Sequence, residues 1–191
     1  MKLDTTFFPF AIEKRSIEGS NQTYLEGIAC PYNSWSQVMG GHFKEMFLPG
    51  AFMDSLGKRN VLCTNDHTRD KFLGSSNSGT LRIEERAEGL FVSLLLPNTT
   101  IGLDLLTMVN RRDVAGMSFD FMGLTDEWAH EEGIACRTIS KAELYEVCFT
   151  PDPAYLSTNV EISQRSKRNV PERVKTNSMH LNALKLKLHN L

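Results

Sequence analysis

Residues 80–96, Thr-Leu-Arg-Ile-Glu-Glu-Arg-Ala-Glu-Gly-Leu-Phe-Val-Ser-Leu-Leu-Leu, form the stretch that decides the fold. Residues 80–84 alternate polar and apolar side chains, which is the pattern of a half-buried β-strand. Residues 90–96 are almost continuously apolar, as a more deeply buried strand would be. The polar segment Arg86-Ala87-Glu88 lies between the two runs, so the sequence predicts a β-hairpin here.

Short strands of the same kind are predicted along much of residues 7–162. The other runs lie at residues 24–29, 60–64, 126–130 and 134–139, and the last two form a second hairpin that turns at Glu132-Gly133.

Two helices interrupt the strands: one short turn over residues 49–56, and a longer helix over residues 98–112 that Asn98 and Thr99 can cap. Many short strands with few helices predict a mainly β (α+β) fold. Its expected form is a small β-barrel or a highly curved sheet, and a doubly wound fold is disfavoured.

The composition is that of a globular protein without a metal centre. The chain has 191 residues, of which 41% are hydrophobic and 23% charged, so one domain with a real core is expected. No apolar run is long enough for a membrane span, and no secretory signal is recognised, so no membrane association is expected. The four cysteines are scattered, without Cys/His spacing typical of zinc. Buried reduced thiols and no cofactor are therefore predicted.

The charge distribution divides the chain into three parts. The whole chain has a formal net charge of −2. Residues 163–191 carry +6, so residues 1–162 carry −8. We predict a domain over residues 1–162, a basic linker over 163–177 and an amphipathic helix over 178–191, whose leucines repeat at heptad spacing. An interaction tail and a solvated terminus both remain open. Nucleic-acid binding would depend on this tail alone and fits poorly with an acidic body.

His67 is the first of three candidate catalytic residues, because an imidazole can act as a general base at neutral pH. It follows a predicted strand, where a single histidine is more often structural. A carboxylate could stabilise its charged form. Asp66 is poorly placed for this if the strand continues through it, since adjacent strand residues point to opposite faces. Asp70 remains an open alternative.

Ser118 is the candidate nucleophile. Met117, Phe119 and Phe121 would share one face of a strand, and Ser118 and Asp120 the other. A serine on the wet face of a strand is common, so this pattern alone does not decide the role. The segment lacks the G-x-S-x-G turn of α/β-hydrolases, which disfavours an esterase or lipase of that fold.

Glu146 is the candidate third member. Leu144 and Cys148 would lie on the same face of a strand as Glu146, and a carboxylate with apolar neighbours needs a partner. Arg137 would make it a structural ion pair, and the second ring nitrogen of His67 would make it part of a catalytic triad. The residues themselves leave both partners open.

Taken together, these segments resemble the prohead serine protease family of tailed bacteriophages, relatives of the herpesvirus assemblin proteases. The resemblance runs from about residue 27 to residue 160. The motifs that carry it include Phe47-Leu48-Pro49-Gly50-Ala51-Phe52, Asn65-Asp66-His67, Gly116-Met117-Ser118-Phe119-Asp120-Phe121, and Leu144-Tyr145-Glu146-Val147 leading to Pro153-Ala154-Tyr155.

The resemblance implies an assemblin-like β-barrel ringed by helices and a serine endopeptidase with Ser118 as nucleophile, His67 as base and Glu146 as acid. The implied location is the interior of the prohead, in the host cytoplasm. The implied substrates are scaffold or the scaffolding segment of the major capsid protein, and the protease itself. A homodimer is a further expectation, since the herpesvirus relatives are activated by dimerisation. The chain departs from the family at Thr68, where an acid is frequent, and at Cys148, where a serine is common.

A competing interpretation from another class is a non-catalytic capsid-assembly or scaffold protein with the same fold. In that protein the three candidate residues would be incidental.

Overall fold

The computed structural model describes residues 13–16, 22–38 and 43–151. The helix and strands in this part of the chain are β1 (Glu13–Ser16), β2 (Thr23–Pro31), β3 (Phe43–Phe47), β4 (Leu62–Asn65), β5 (Thr68–Ser75), β6 (Leu81–Glu85), β7 (Gly89–Leu95), α1 (Thr100–Arg111), β8 (Gly116–Glu131) and β9 (Ile134–Thr150). The predicted linker, the predicted C-terminal helix and the Pro153-Ala154-Tyr155 motif lie outside the described residues.

The strands form two sheets. The first has the order β1-β2-β7-β6 and is antiparallel throughout. The second has the order β3-β9-β4-β5, with β8 paired to β9 as well. Strand β9 lies at the centre of the second sheet. It runs antiparallel to β8 along almost all of its length, and parallel to β3 and β4 on its other edge.

Both predicted hairpins are present. In the first, β6 pairs with β7 so that Leu81 lies opposite Leu94 and Glu85 opposite Leu90. The second is β8–β9, which turns at Glu132 and Gly133, both with positive φ. It is far longer than the predicted runs because β8 continues back to Gly116.

The core lies between the two sheets and contains residues from both. Leu90, Val92 and Leu94 contribute from the first sheet and are fully buried. An aromatic cluster forms part of the same core, with Phe47 and Phe119 in edge-to-face contact at a centroid distance of 5.4 Å. Such geometry favours aromatic pairs beyond the area they bury. The apolar face of β8 is thereby fixed inside the protein.

The prediction for the long helix is confirmed. Helix α1 starts after Thr99, whose side chain accepts a hydrogen bond from the N–H of Gly102. It ends at Arg111, and the capping residue Arg112 adopts a left-handed conformation. Residues 49–56 instead form consecutive hydrogen-bonded turns, such as the one from the N–H of Met53 to the carbonyl of Gly50, and no helix.

The mainly β prediction is confirmed, and the finer architecture is not. Among the described strands, the pairing gives two open sheets rather than a closed ring. The described residues contain one α-helix, so a surrounding ring of helices is not seen there. No helix in this part of the chain is long and apolar enough to cross a membrane.

A buried ion cluster joins three strands of the second sheet. Arg137 on β9 donates from Nε to Asp126 on β8 at 2.5 Å, and its Nη1 lies 3.4 Å from Glu45 on β3. Both the Arg137 and Glu45 side chains are almost fully buried. Burial raises the pKa of Glu45 to about 7, although the charge of Arg137 acts in the opposite direction.

Glu45 should therefore make the folded protein less stable as pH rises. Its folded-state pKa lies above the ordinary value of 4.5, so the folded state holds this proton more tightly than the unfolded chain does. We expect the free energy of unfolding of the wild type, relative to Glu45→Gln, to fall by about 2 kcal/mol between about pH 5 and about pH 8. Urea denaturation of both proteins measures this difference. Glu127→Gln, which removes an exposed carboxylate from β8, is the control. A constant difference between wild type and Glu45→Gln would contradict the assignment.

Candidate active site

The register of β9 with its two neighbours brings the candidate residues together. Ser118 on β8 and Thr64 on β4 both lie opposite Cys148 on β9. Two residues further along β8, Asp120 lies opposite Glu146. Because directly opposed residues of a sheet point to the same face, these five side chains share one surface. The apolar side chains of β8 point to the other face, as the alternation in the sequence predicted.

His67 reaches this surface from a tight turn. Strand β4 ends at Asn65 and β5 begins at Thr68, which leaves Asp66 and His67 as the two central residues of the hairpin. Their φ angles are 57° and 51°, the positive values that a type I′ turn requires. Asp and His are among the non-glycine residues that adopt this region most readily, at a free-energy cost of about 1–3 kcal/mol each.

Contacts from β9 hold the turn in place. The N–H of Asp66 donates to the carbonyl of Phe149 at 2.9 Å. Its carboxylate accepts from the hydroxyl of Thr150 at 3.1 Å. The expectation that Asp66 is badly placed to serve His67 assumed a continuing strand. In the structure the strand stops, and the Asp66 carboxylate is instead bonded to β9.

Glu146 is the carboxylate bonded to His67. Its Oε1 lies 3.1 Å from His67 Nδ1 and also accepts from the hydroxyl of Thr64 at 2.7 Å. The alternative partner, Arg137, is instead paired with Glu45 and Asp126. The remaining alternative for His67, Asp70, lies on the exposed part of β5.

The environment of Glu146 favours its ionised form. Burial alone would raise the pKa of this carboxyl, since its side chain is only 12% exposed. Hydrogen bonds from His67 and Thr64, with nearby positive charge, outweigh that effect and hold the pKa below its ordinary value. An ionised carboxylate can only accept hydrogen bonds, so the proton in this contact resides on His67 Nδ1.

When the imidazole is neutral, the other ring nitrogen, Nε2, carries its lone pair. Within the described part of the chain this atom is buried and has no hydrogen-bond partner. A buried polar atom without a partner is uncommon, because it has lost its hydration without compensation. A catalytic role is one explanation for such an atom, since catalytic hydrogen bonds are often long or poorly aligned before substrate binds.

Ser118 and His67 both adjoin Cys148. Ser118 is 1% exposed. Burial raises the pKa of the Cys148 thiol to about 12, while backbone N–H groups of His67 and Ser118 act in the opposite direction. The thiol is therefore neutral at physiological pH. Its burial agrees with the prediction of buried reduced thiols.

Two residues of the site were given no role by the sequence. Thr64 donates to Glu146, and a single threonine near the end of a strand gives no signal of this contact. Asp120 Oδ2 lies 4.0 Å from His67 Nδ1. Its spacing of two from Ser118 placed it on the same face, which is the signal that could have identified it.

A comparison with protein families gives a match for this chain. Residues 10–173 match the family described as caudovirus prohead serine protease. No match was found among curated proteins or among solved structures. The matched region spans most of the chain and includes His67, Ser118 and Glu146. The chain therefore belongs to the caudovirus prohead serine protease family.

Proposed function

We propose that the chain is a serine endopeptidase that acts inside the phage prohead, in the host cytoplasm, during capsid maturation. Its substrates would be scaffold or the scaffolding segment of the major capsid protein, and the protease itself. Family membership supports the capsid-maturation role. The observation that carries the proposal is the buried His67–Glu146 hydrogen bond beside a serine on the adjoining strand.

The proposed mechanism is acyl transfer through Ser118. Its hydroxyl oxygen attacks the carbonyl carbon of the scissile peptide while His67 Nε2 takes the hydroxyl proton. The imidazolium then gives this proton to the leaving amine, and water hydrolyses the acyl-enzyme by the same route in reverse. Glu146 fixes the ring tautomer and stabilises the positive charge that forms on His67.

Three features of the site support this assignment of roles. The ionised Glu146 orients His67 so that Nε2 carries the lone pair that a base needs. Burial of Nε2 strengthens any hydrogen bond that a substrate-bound Ser118 makes to it. The neutral thiol of Cys148 leaves the serine hydroxyl as the nucleophile of this surface.

Replacing Ser118 by alanine should abolish cleavage. We expect scaffold and capsid protein co-expressed with Ser118→Ala to remain full length by mass spectrometry. Ser93→Ala, which removes another buried serine in the first sheet, is the matched control and should process normally. Normal processing in Ser118→Ala would refute the assignment of the nucleophile.

The non-catalytic assembly protein remains the second candidate, and the near-complete burial of Ser118 is the observation that favours it. A serine-directed phosphonate distinguishes the two candidates. The protease should gain one phosphonyl group at Ser118, whereas an assembly protein with the same fold should remain unlabelled.

Glu146→Gln should lower kcat by about 10³- to 10⁴-fold with little change in KM, because the wrong tautomer of His67 is favoured when the carboxylate is lost. Thr64→Val should act in the same direction and more weakly, since it removes one of two hydrogen bonds to Glu146. Cleavage of a capsid-derived peptide measures both. Full activity of Glu146→Gln would move the third role to another group.

The C-terminal residues are proposed to direct encapsidation. Their basic charge and leucine spacing suggest a partner inside the prohead, and the basic linker over residues 163–177 is a natural place for self-cleavage. Deletion from Ser163 onward should lower the amount of protease in purified proheads more than it lowers peptide cleavage. Equal encapsidation of truncated and intact protein would contradict this role.

The assemblin-like barrel and the homodimer also remain part of the proposal. Both derive from the resemblance to herpesvirus proteases. Light scattering of the full chain measures the dimer directly, and a monomer at concentrations that support cleavage would exclude dimerisation as a requirement.

A further inference from the structure

The surface around His67 carries one more carboxylate than an acyl-transfer triad requires. One ligand atom from each of His67, Asp120 and Glu146 can be chosen so that all lie within 4.8 Å of one another. Nδ1 of His67 is 3.1 Å from Glu146 and 4.0 Å from Asp120. The mechanism proposed above uses Glu146 and leaves Asp120 without a role.

We propose that these three residues bind a zinc ion and that the bound ion switches the protease off. Ligands about 2.1 Å from a tetrahedral zinc ion are about 3.4 Å apart. The distances from His67 Nδ1 to Glu146 Oε1 and to Asp120 Oδ2, 3.1 and 4.0 Å, fall on either side of that value. Binding would draw the Asp120 carboxylate, whose side chain is 36% exposed, slightly closer to His67 Nδ1, while the side chains of the other two residues are more buried.

On the more buried side of this site, contacts with other residues hold Glu146 and His67 in position. The hydroxyl of Thr64 donates to Glu146 Oε1, so this ligand would already have the outer hydrogen bond that usually orients a metal-bound carboxylate. His67 is held by the type I′ turn that β9 fixes. Asp120 and Glu146 are directly opposed across β8 and β9, which places both carboxylates on the same face of the sheet.

The three ligand atoms favour zinc over magnesium. One imidazole nitrogen with two carboxylate oxygens suits zinc, which accepts nitrogen and oxygen ligands in tetrahedral geometry. Magnesium requires near-octahedral oxygen coordination and is disfavoured by the imidazole. A water molecule would complete the coordination of zinc.

Zinc binding would remove the base from the reaction. The ion takes the place of the proton on Nδ1, which is released to solvent, and a Zn–N bond forms. Glu146 becomes a metal ligand and no longer stabilises an imidazolium. His67 then cannot accept the Ser118 proton and hold a positive charge. The inhibitory part of this inference depends on the proposed protease function, whereas the binding part does not.

Binding is tested without any activity measurement. Full-length Ser118→Ala, which cannot cleave itself, is titrated with zinc by isothermal titration calorimetry. We expect one saturable site, and Asp120→Asn in the same background should weaken it at least tenfold. Asp70→Asn, which removes an exposed carboxylate from β5, is the matched control and should bind as tightly as the parent. Magnesium should give no comparable binding.

Equal zinc affinity in the Asp120→Asn and Asp70→Asn proteins would overturn the site, as would the absence of saturable binding. Circular dichroism of each variant checks that it is folded. Cobalt provides an independent measurement, since tetrahedral coordination by these ligands should produce visible absorption that Asp120→Asn loses.

Inhibition is tested with the catalytically intact chain and a capsid-derived peptide. Zinc should slow cleavage and a chelator should restore it. For each variant we measure the zinc concentration that lowers its cleavage rate to half of the rate without metal, and these concentrations are then compared between variants. Asp120→Asn should require at least tenfold more zinc than Asp70→Asn. Cleavage that is insensitive to zinc overturns the switch and leaves the protease proposal intact. Asp120-dependent zinc binding in a chain that never cleaves the peptide supports the zinc site and overturns the protease proposal.

Discussion

Strand β9 forms backbone hydrogen bonds along both of its edges. The position of every candidate catalytic group depends on the register of this pairing. Its C-terminal half pairs with β8 on one side and with β4 on the other. Cys148 is thereby placed opposite both Ser118 and Thr64. A shift of one residue in either register would send the shifted side chains to the opposite face. The apolar face of β8, packed on Phe47, opposes such a shift because it would expose Phe119.

Two carboxylates in this sheet show how the partners of a buried acid determine its charge. Glu45 faces Arg137 at 3.4 Å, and burial dominates, so the pKa of Glu45 is raised. Glu146 accepts hydrogen bonds of 2.7 and 3.1 Å from Thr64 and His67, and the pKa of Glu146 is lowered. Glu45 is the more deeply buried of the two, so burial outweighs its one cation, whereas the two shorter hydrogen bonds outweigh the smaller burial of Glu146. For a residue that must stay ionised to orient a base, this is the required environment.

Local patterns in the sequence predicted the features that short segments determine by themselves: two hairpins, helix α1 and the two faces of β8. Local patterns leave the partner of Glu146 open between Arg137 and His67, because the choice depends on the parallel register between β4 and β9, which no local pattern encodes. The turn at Asp66 and His67 was missed because type I′ turns usually contain Gly or Asn. The sequence predicts one helical turn over residues 49–56, where the structure has consecutive hydrogen-bonded turns. The roles proposed for His67 and Ser118 come from the resemblance to the protease family, because periodicity leaves them undecided.

The parallel pairing of β4 with β9 also makes the site depend on a contact between residues that are distant in the sequence. Ser118 and Glu146 lie on one hairpin, whose strands meet through a tight turn and can form early. His67 and Glu146 are 79 residues apart in the chain, so their contact requires closure of a long loop before any pairing energy is gained. Loop-closure entropy therefore favours pairing of Ser118 with its neighbours on β9 before the contact between His67 and Glu146 forms. The candidate site is complete only when β4 has paired with β9, so a chain that lacks this pairing would not hold His67 against Glu146.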